Sequence, residues 1–131
     1  MKKYFLLLSL VSFGICSAQQ ISGEKTGKWK KFEKIEFMVD SFPAWYVKPA
    51  KPIAGNPWVW RAHFPNWHTE MDSILLERGF HIAYINTNNL YAHPKAMMAW
   101  DKFYNYLVEK KGFAPKVALE GVSRGALYVY G

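Results

Sequence analysis

The sequence predicts an α/β fold in which a mostly parallel sheet follows an N-terminal antiparallel hairpin. Half of the 131 residues are hydrophobic, which is enough to bury a core. After the hairpin, short apolar runs alternate with segments of helical spacing, a pattern typical of parallel strands joined by helical crossovers. For a chain of this length we expect one compact domain, over residues 19–131.

The first segment predicts a secretory signal peptide over residues 1–18. Two lysines precede an apolar run from Tyr4 to Ile15, and the small residue Ala18 follows as a cleavage site. The run is too short for a membrane-spanning helix. Acylation of Cys16, giving a lipoprotein anchor, is the less favoured alternative because a bulky isoleucine precedes it. The sequence therefore indicates a periplasmic or secreted protein.

Charge and cysteine content narrow the class of partner. The formal net charge is +7, and removal of Lys2 and Lys3 with the signal peptide would leave 15 basic and 10 acidic residues. Much of the excess lies in Glu24–Lys34, which is either a solvated strand face or a site for nucleic acid or an acidic glycan. We favour the solvated face, and expect no nucleic-acid partner and no stable membrane insertion after signal removal. Cys16 is the only cysteine, so the exported domain has no internal disulfide.

The hairpin and the first central strand come early in the domain. Ile35, Phe37 and Val39 alternate along "FEKIEFMV", the period of a half-buried strand, and "AWYVKP" from Ala44 is its expected partner. After the turn "KPIAGNP", the apolar run Trp58–Phe64 predicts a buried strand.

Two helices and two further strands complete the prediction. Thr69 and Asp72 resemble a capping box at the start of a helix that ends at Gly79, and the strand Phe80–Ile85 follows. Pro94 begins a longer helix that ends at Gly112. The last strand is predicted over Pro115–Gly121.

The sequence Gly121-Val122-Ser123-Arg124-Gly125 matches the Gly-x-Ser-x-Gly pattern of a nucleophile elbow. It lies between a buried strand and the helix-compatible run "ALYVY", as that turn requires. Glycines two residues before and after the serine remove side chains that would collide in so tight a turn. Ser123 is therefore the candidate nucleophile, and the backbone N–H of Arg124 is a candidate oxyanion donor.

These residues and the order of elements resemble the α/β-hydrolase family. The resemblance extends over nearly the whole chain after the signal peptide. "WVWRAHFPNWHTEMD" and "ALEGVSRGA" look like exported bacterial hydrolases of the prolyl oligopeptidase-like and carbohydrate-esterase branches. The resemblance implies a second oxyanion donor from the backbone of His63 or Phe64. It also implies an α/β-hydrolase-like sheet truncated after the elbow, with the triad acid and histidine beyond Gly131, so we expect this chain alone to be inactive.

Several side chains around the elbow are candidates for substrate contact. Trp67 lies in the implied oxyanion loop and is a candidate stacking platform, and Asn88 and Tyr91 lie in a loop after a predicted parallel strand. Turn chemistry explains the asparagines of that loop equally well. Glu120 is expected either to pair with Arg61 or Arg124, or to touch substrate.

The leading hypothesis is an exported serine hydrolase that cleaves an ester, for example on an acylated glycan, through an acyl-enzyme on Ser123. The alternatives are a serine peptidase of the prolyl oligopeptidase type and a non-catalytic exported binding domain. The order His63, Asp72 or Asp101, Ser123 also matches chymotrypsin-like proteases, but the predicted helices disfavour their paired β-barrels. No cofactor is expected, and His63 and His68 lack the spacing of a zinc site.

Overall fold

The computed structural model describes residues 21–130, so the predicted signal peptide lies outside the described residues. The elements are β1 (Ile21–Trp29), β2 (Phe32–Val39), β3 (Phe42–Lys48), β4 (Trp58–Arg61), α1 (Glu70–Glu77), β5 (His81–Ile85), α2 (Pro94–Asn105), a π-helical segment (Tyr106–Lys110), β6 (Ala118–Glu120), a 3-10 turn (Ser123–Gly125) and α3 (Ala126–Tyr130).

The described strands form one six-stranded mixed sheet in the order β1-β2-β3-β5-β4-β6. The pairings β1–β2, β2–β3 and β3–β5 are antiparallel, whereas β4 pairs with β5 and β6 in parallel. The prediction of a mostly parallel α/β-hydrolase-like sheet is therefore wrong: most pairings in the described part of the chain are antiparallel, and its three α-helices are short. A single sheet also excludes the paired barrels of a chymotrypsin-like protease.

β1 accounts for much of this difference. It pairs with β2 over Ile21–Trp29, where the sequence had indicated a solvated strand face without assigning it a partner in the sheet. Most of its residues are exposed, so it lacks the alternation of buried and exposed positions that reveals a half-buried strand. An edge strand of this kind, rich in lysine and without a clear apolar face, is well suited to end a sheet in water.

The sheet has a buried cluster on each face. One cluster includes Trp58, Trp60 and Ala83 together with residues of α2 and α3. The other includes Val59 and Ile82 with Leu76 of α1. Because neighbouring residues of a strand point to opposite faces, α1 covers one face and α2 with α3 covers the other.

Aromatic rings stack through the larger cluster. Trp60 lies 5.7 Å from Trp58 and 4.1 Å from Trp100, and Trp100 stacks on Tyr128 at 5.0 Å. The Trp100 indole donates to the hydroxyl of Thr87 at 3.0 Å, and the Tyr128 hydroxyl donates to the carbonyl of the same threonine at 3.0 Å. Thr87 thus joins the loop after β5 to both α2 and α3.

The helix ends agree only in part with the predicted caps. His93 accepts from the Lys95 N–H at the start of α2, and Gly79 follows α1 with φ +91°, as a left-handed cap requires. Thr69 makes no side-chain capping bond, so the predicted capping box is wrong. Asp72 instead turns inward to Arg61. Within residues 21–130, no helix is both long and apolar enough to span a membrane.

Candidate functional site

The strand order brings the loop after β4 next to the turn after β6. From β4 the chain passes through α1 to β5 on one side, then returns through α2 to β6 on the other side. The crevice at such a reversal, beyond the carboxyl ends of the strands, is where open sheets bind ligands. The Ala62 N–H donates to the Glu120 carbonyl at 2.9 Å, which fixes the two segments side by side.

Ser123 stands at the tip of the turn after β6. Its φ is +53°, in the left-handed region, and the residue is exposed. A non-glycine residue in this region carries roughly 1–2 kcal/mol of backbone strain. The turn is closed by the Gly125 N–H, which donates to the Val122 carbonyl at 2.9 Å. Strained backbone at an exposed serine is typical of a functional turn.

The flanking glycines lie where an added Cβ would be crowded, severely at Gly121 and mildly at Gly125. A Cβ on Gly121 would lie 2.7 Å from Val129 Cγ2 and 3.0 Å from the backbone of Ala126, and a Cβ on Gly125 would lie 3.1 Å from His63 Cβ. Neither glycine has a positive φ. The reason for glycine at both positions is therefore space, as the sequence pattern predicts.

Backbone N–H groups point to a candidate oxyanion hole. Among residues 21–130, no acceptor takes the N–H of Phe64, which lies in the loop after β4. Arg124 lies in the first turn of the helical segment that continues into α3, where free N–H groups favour negative charge. Phe64 has φ +49°, and the neighbouring His63 backbone approaches Gly125. Both predicted oxyanion segments thus lie next to Ser123.

A cavity opens in front of the serine. Its volume is about 310 Å³, and Phe64, Trp67 and Ser123 line it. The Trp67 side chain is 51% exposed, whereas most tryptophan side chains are largely buried. Its ring contacts the Phe64 ring edge-on at 6.0 Å. Two aromatic side chains thus form an apolar wall beside the candidate nucleophile, where an acyl chain or a sugar face could pack.

Arg61 holds the loop that carries this wall. Its side chain is 1% exposed, and its Nε donates to the Phe64 carbonyl at 3.0 Å while Nη2 donates to the Trp67 carbonyl. Nη1 donates to Asp72 and, at 3.3 Å, to Glu120. Of the two pairings expected for Glu120, the structure has the one with Arg61. The bond to Asp72 was not anticipated, although an arginine within a buried apolar strand signals a buried acidic partner.

Burial and proximity shift the titration of two groups here. Burial raises the pKa of Asp72 to about 6, opposed by the positive charge of Arg61 and reinforced by Glu120. Burial lowers the pKa of His63, the neighbouring Asn88 side chain raises it, and the charge of Arg124 lowers it. His63 is therefore neutral at pH 7. No described residue hydrogen-bonds to the Ser123 hydroxyl, so the elbow holds its serine without a base in contact.

The remaining candidates lie beside the cavity and not in its lining. The Asn88 side chain accepts from the Tyr84 hydroxyl at 3.4 Å, and the Asn88 backbone N–H donates to the side-chain oxygen of Asn86 at 3.2 Å. Both bonds support a role for Asn88 in shaping the loop. Tyr91 is exposed, and its hydroxyl accepts from Arg124 Nη1 at 3.3 Å. Tyr91 therefore reaches the site through the arginine that follows Ser123.

Among residues 21–130 there is no group of three histidine, cysteine or acidic side chains arranged to hold a metal ion. Comparison of the chain with protein-family models, with curated proteins and with solved structures gave no match. Any assignment of function therefore depends on the geometry of the elbow and the loops around it.

Proposed function

We propose that this chain carries the nucleophile of an exported serine hydrolase that cleaves an ester through an acyl-enzyme on Ser123. One observation carries the proposal: an exposed serine with φ +53° stands between two glycines at which an added Cβ would be crowded, at the carboxyl end of a parallel strand. The resemblance to α/β-hydrolases supports this function through the elbow and the loop after β4. The proposed function does not depend on how many strands of the sheet are parallel.

The chemistry follows from the groups around the serine. The Ser123 hydroxyl attacks the ester carbonyl carbon, and its proton passes to a general base. The carbonyl oxygen becomes an oxyanion that the N–H groups of Arg124 and Phe64 stabilise. Collapse expels the alcohol, which takes up the proton, and water then hydrolyses the acyl-serine. The family resemblance assigns the base to a histidine held by an acid.

The size and the apolar lining of the cavity suit an ester with an apolar part. The cavity of about 310 Å³ has an aromatic wall formed by Phe64 and Trp67, and an exposed indole is a common platform for a sugar ring or acyl chain. An acyl group on a glycan offers both features. The absence of a hydrogen-bonded base among residues 21–130 is the observation that favours the second candidate, a non-catalytic exported binding domain that uses the same cavity.

A fluorophosphonate probe separates the two candidates, because it reacts covalently only with an activated serine. The protein is labelled alongside Ser123→Ala, with Ser41→Ala as the matched control. Ser41 lies exposed in the turn between β2 and β3, far along the chain from the elbow. We expect labelling of the parent and of the Ser41 variant, and none of Ser123→Ala.

The outcomes are distinct. Absence of labelling in a parent that melts cooperatively would overturn the hydrolase and support the binding domain. Labelling that survives Ser123→Ala would place the nucleophile elsewhere. A panel that compares acetylated oligosaccharides with peptide amides then separates the esterase from the serine peptidase.

A further inference from the structure

The side chain of Arg124 follows the candidate nucleophile directly and stands between two aromatic rings. Its guanidinium carbon lies 5.7 Å from the centre of the Phe64 ring and 5.8 Å from that of the Tyr91 ring. It also donates to the Tyr91 hydroxyl at 3.3 Å. Cation–π contacts of this kind hold a guanidinium in place without neutralising its charge.

The two rings are themselves fixed by unusual backbone. Phe64 has φ +49° and Tyr91 has φ +43°, a conformation that costs energy for bulky residues and persists only where surrounding contacts enforce it. Arg61 supplies such contacts for Phe64 by donating hydrogen bonds to the carbonyls of Phe64 and Trp67. The aromatic support of Arg124 is therefore built from two separate loops that converge beside the serine.

The charge of Arg124 has no acidic partner among the described residues, in contrast to the buried Arg61, which pairs with two carboxylates. Arg124 is exposed, yet its field reaches inward, since it helps to lower the pKa of His63. A guanidinium presents planar, paired N–H donors that match a carboxylate or a related anion. The guanidinium lies over the ring of Phe64, which lines the cavity in front of Ser123, so an anion bound to these donors would lie beside that cavity.

We infer that Arg124 binds an anionic group of the substrate, so that the hydrolase acts on esters that carry a carboxylate or another anion close to the scissile bond. This inference rests on the proposed function and narrows its substrate class. The aromatic wall of Phe64 and Trp67 takes the apolar part of the substrate, and Arg124 selects by charge. An acidic sugar that bears an ester combines these features.

Two esters of equal acyl length test the inference. Mono-4-nitrophenyl succinate ends in a carboxylate where 4-nitrophenyl butyrate ends in a methyl group, and the leaving group is the same. The quantity measured is the ratio of kcat/KM for the succinate to that for the butyrate, in the unchanged protein and in Arg124→Gln and Arg124→Lys. Both variants keep the backbone N–H at the elbow.

We expect the parent to favour the succinate and Arg124→Gln to lower the ratio by about tenfold to a hundredfold, the loss typical of a charge-assisted hydrogen bond. Arg124→Lys should retain part of the preference, because it keeps the charge but loses the paired donors. Raising the salt concentration should shrink the parent's ratio, since the site is exposed.

A binding measurement keeps the inference independent of turnover. In Ser123→Ala, NMR titration compares monomethyl succinate with methyl butyrate, and Ser123→Ala/Arg124→Gln is the control. An anion preference that requires Arg124, together with no turnover in the parent, would support the anion site and overturn the hydrolase. Turnover in which Arg124→Gln slows both esters equally, or shows no preference, would overturn the anion site and leave the hydrolase standing.

Discussion

The elbow geometry makes a quantitative prediction for Gly121→Ala. The added methyl group would lie 2.7 Å from Val129 Cγ2 and 3.0 Å from both Cα and N of Ala126. The valine methyl can move, but the Ala126 backbone begins α3 and cannot shift without moving the turn. Overpacking of this kind costs about 1–3 kcal/mol.

The unfolded state opposes part of this cost. Replacing glycine by alanine reduces the conformational entropy of the unfolded chain and stabilises a protein by about 0.4–1 kcal/mol where no strain arises. The net loss for Gly121→Ala is therefore about 0–2.6 kcal/mol. Gly125→Ala should lose less, because its Cβ would come no closer than 3.1 Å to another atom, the His63 Cβ, and its next contact would be at 3.5 Å.

Gly27→Ala is the matched control. Gly27 lies in β1, its φ is not positive, and nothing lies within 4 Å of the position its Cβ would take. The substitution should be neutral or stabilising. The free energy of unfolding is measured by urea denaturation of the four proteins in parallel. If Gly121→Ala is as stable as Gly27→Ala, the turn is looser than described and the space argument for the elbow fails.

Two further predictions concern the serine and the buried acid. Ser123→Gly should raise the free energy of unfolding by about 0.5–1 kcal/mol, because glycine relieves the backbone strain at φ +53° and this gain exceeds the extra entropy of the unfolded chain. Urea denaturation measures the change. The control is Ser41→Gly, which should not stabilise the protein because φ at Ser41 is not positive. The folded-state pKa of Asp72, about 6, lies above its ordinary value of 3.8, so its stabilising contribution is full below pH 3.8 and is lost as the pH rises to 6. The stability of the parent relative to Asp72→Asn should therefore fall across that window, and a difference that rises instead would mean that Arg61 keeps Asp72 ionised throughout.

The sequence was most informative where one face of an element is buried. The alternation of Ile35, Phe37 and Val39 predicted β2, and the Gly-x-Ser-x-Gly pattern predicted a turn whose glycines do lie where an added Cβ would be crowded. Both signals are local: each depends on residues that are close in sequence and that meet in the fold. The hairpin, β5 and α2 were predicted for the same reason.

What the sequence did not reveal depends on contacts between distant residues. The exposed β1 has no alternation, so its pairing with β2 gave no signal, and the sheet was expected to be mostly parallel. Asp72 was expected to take part in a helix cap because Thr69 lies three residues before it. Its partner, Arg61, lies 11 residues away and draws the carboxylate inward. Such competition between a local cap and a buried ion pair cannot be read from spacing alone.

Thr87 has a mechanical consequence for the site. Through Trp100 and Tyr128 it joins α2, α3 and the loop after β5, and that loop carries Tyr91 on to Arg124. The helix behind the serine and the loop that leads to Tyr91 are therefore both hydrogen-bonded to the same threonine or to a residue that contacts it. A ligand that enters would meet surfaces already held in place, so little freedom remains to be lost when it binds.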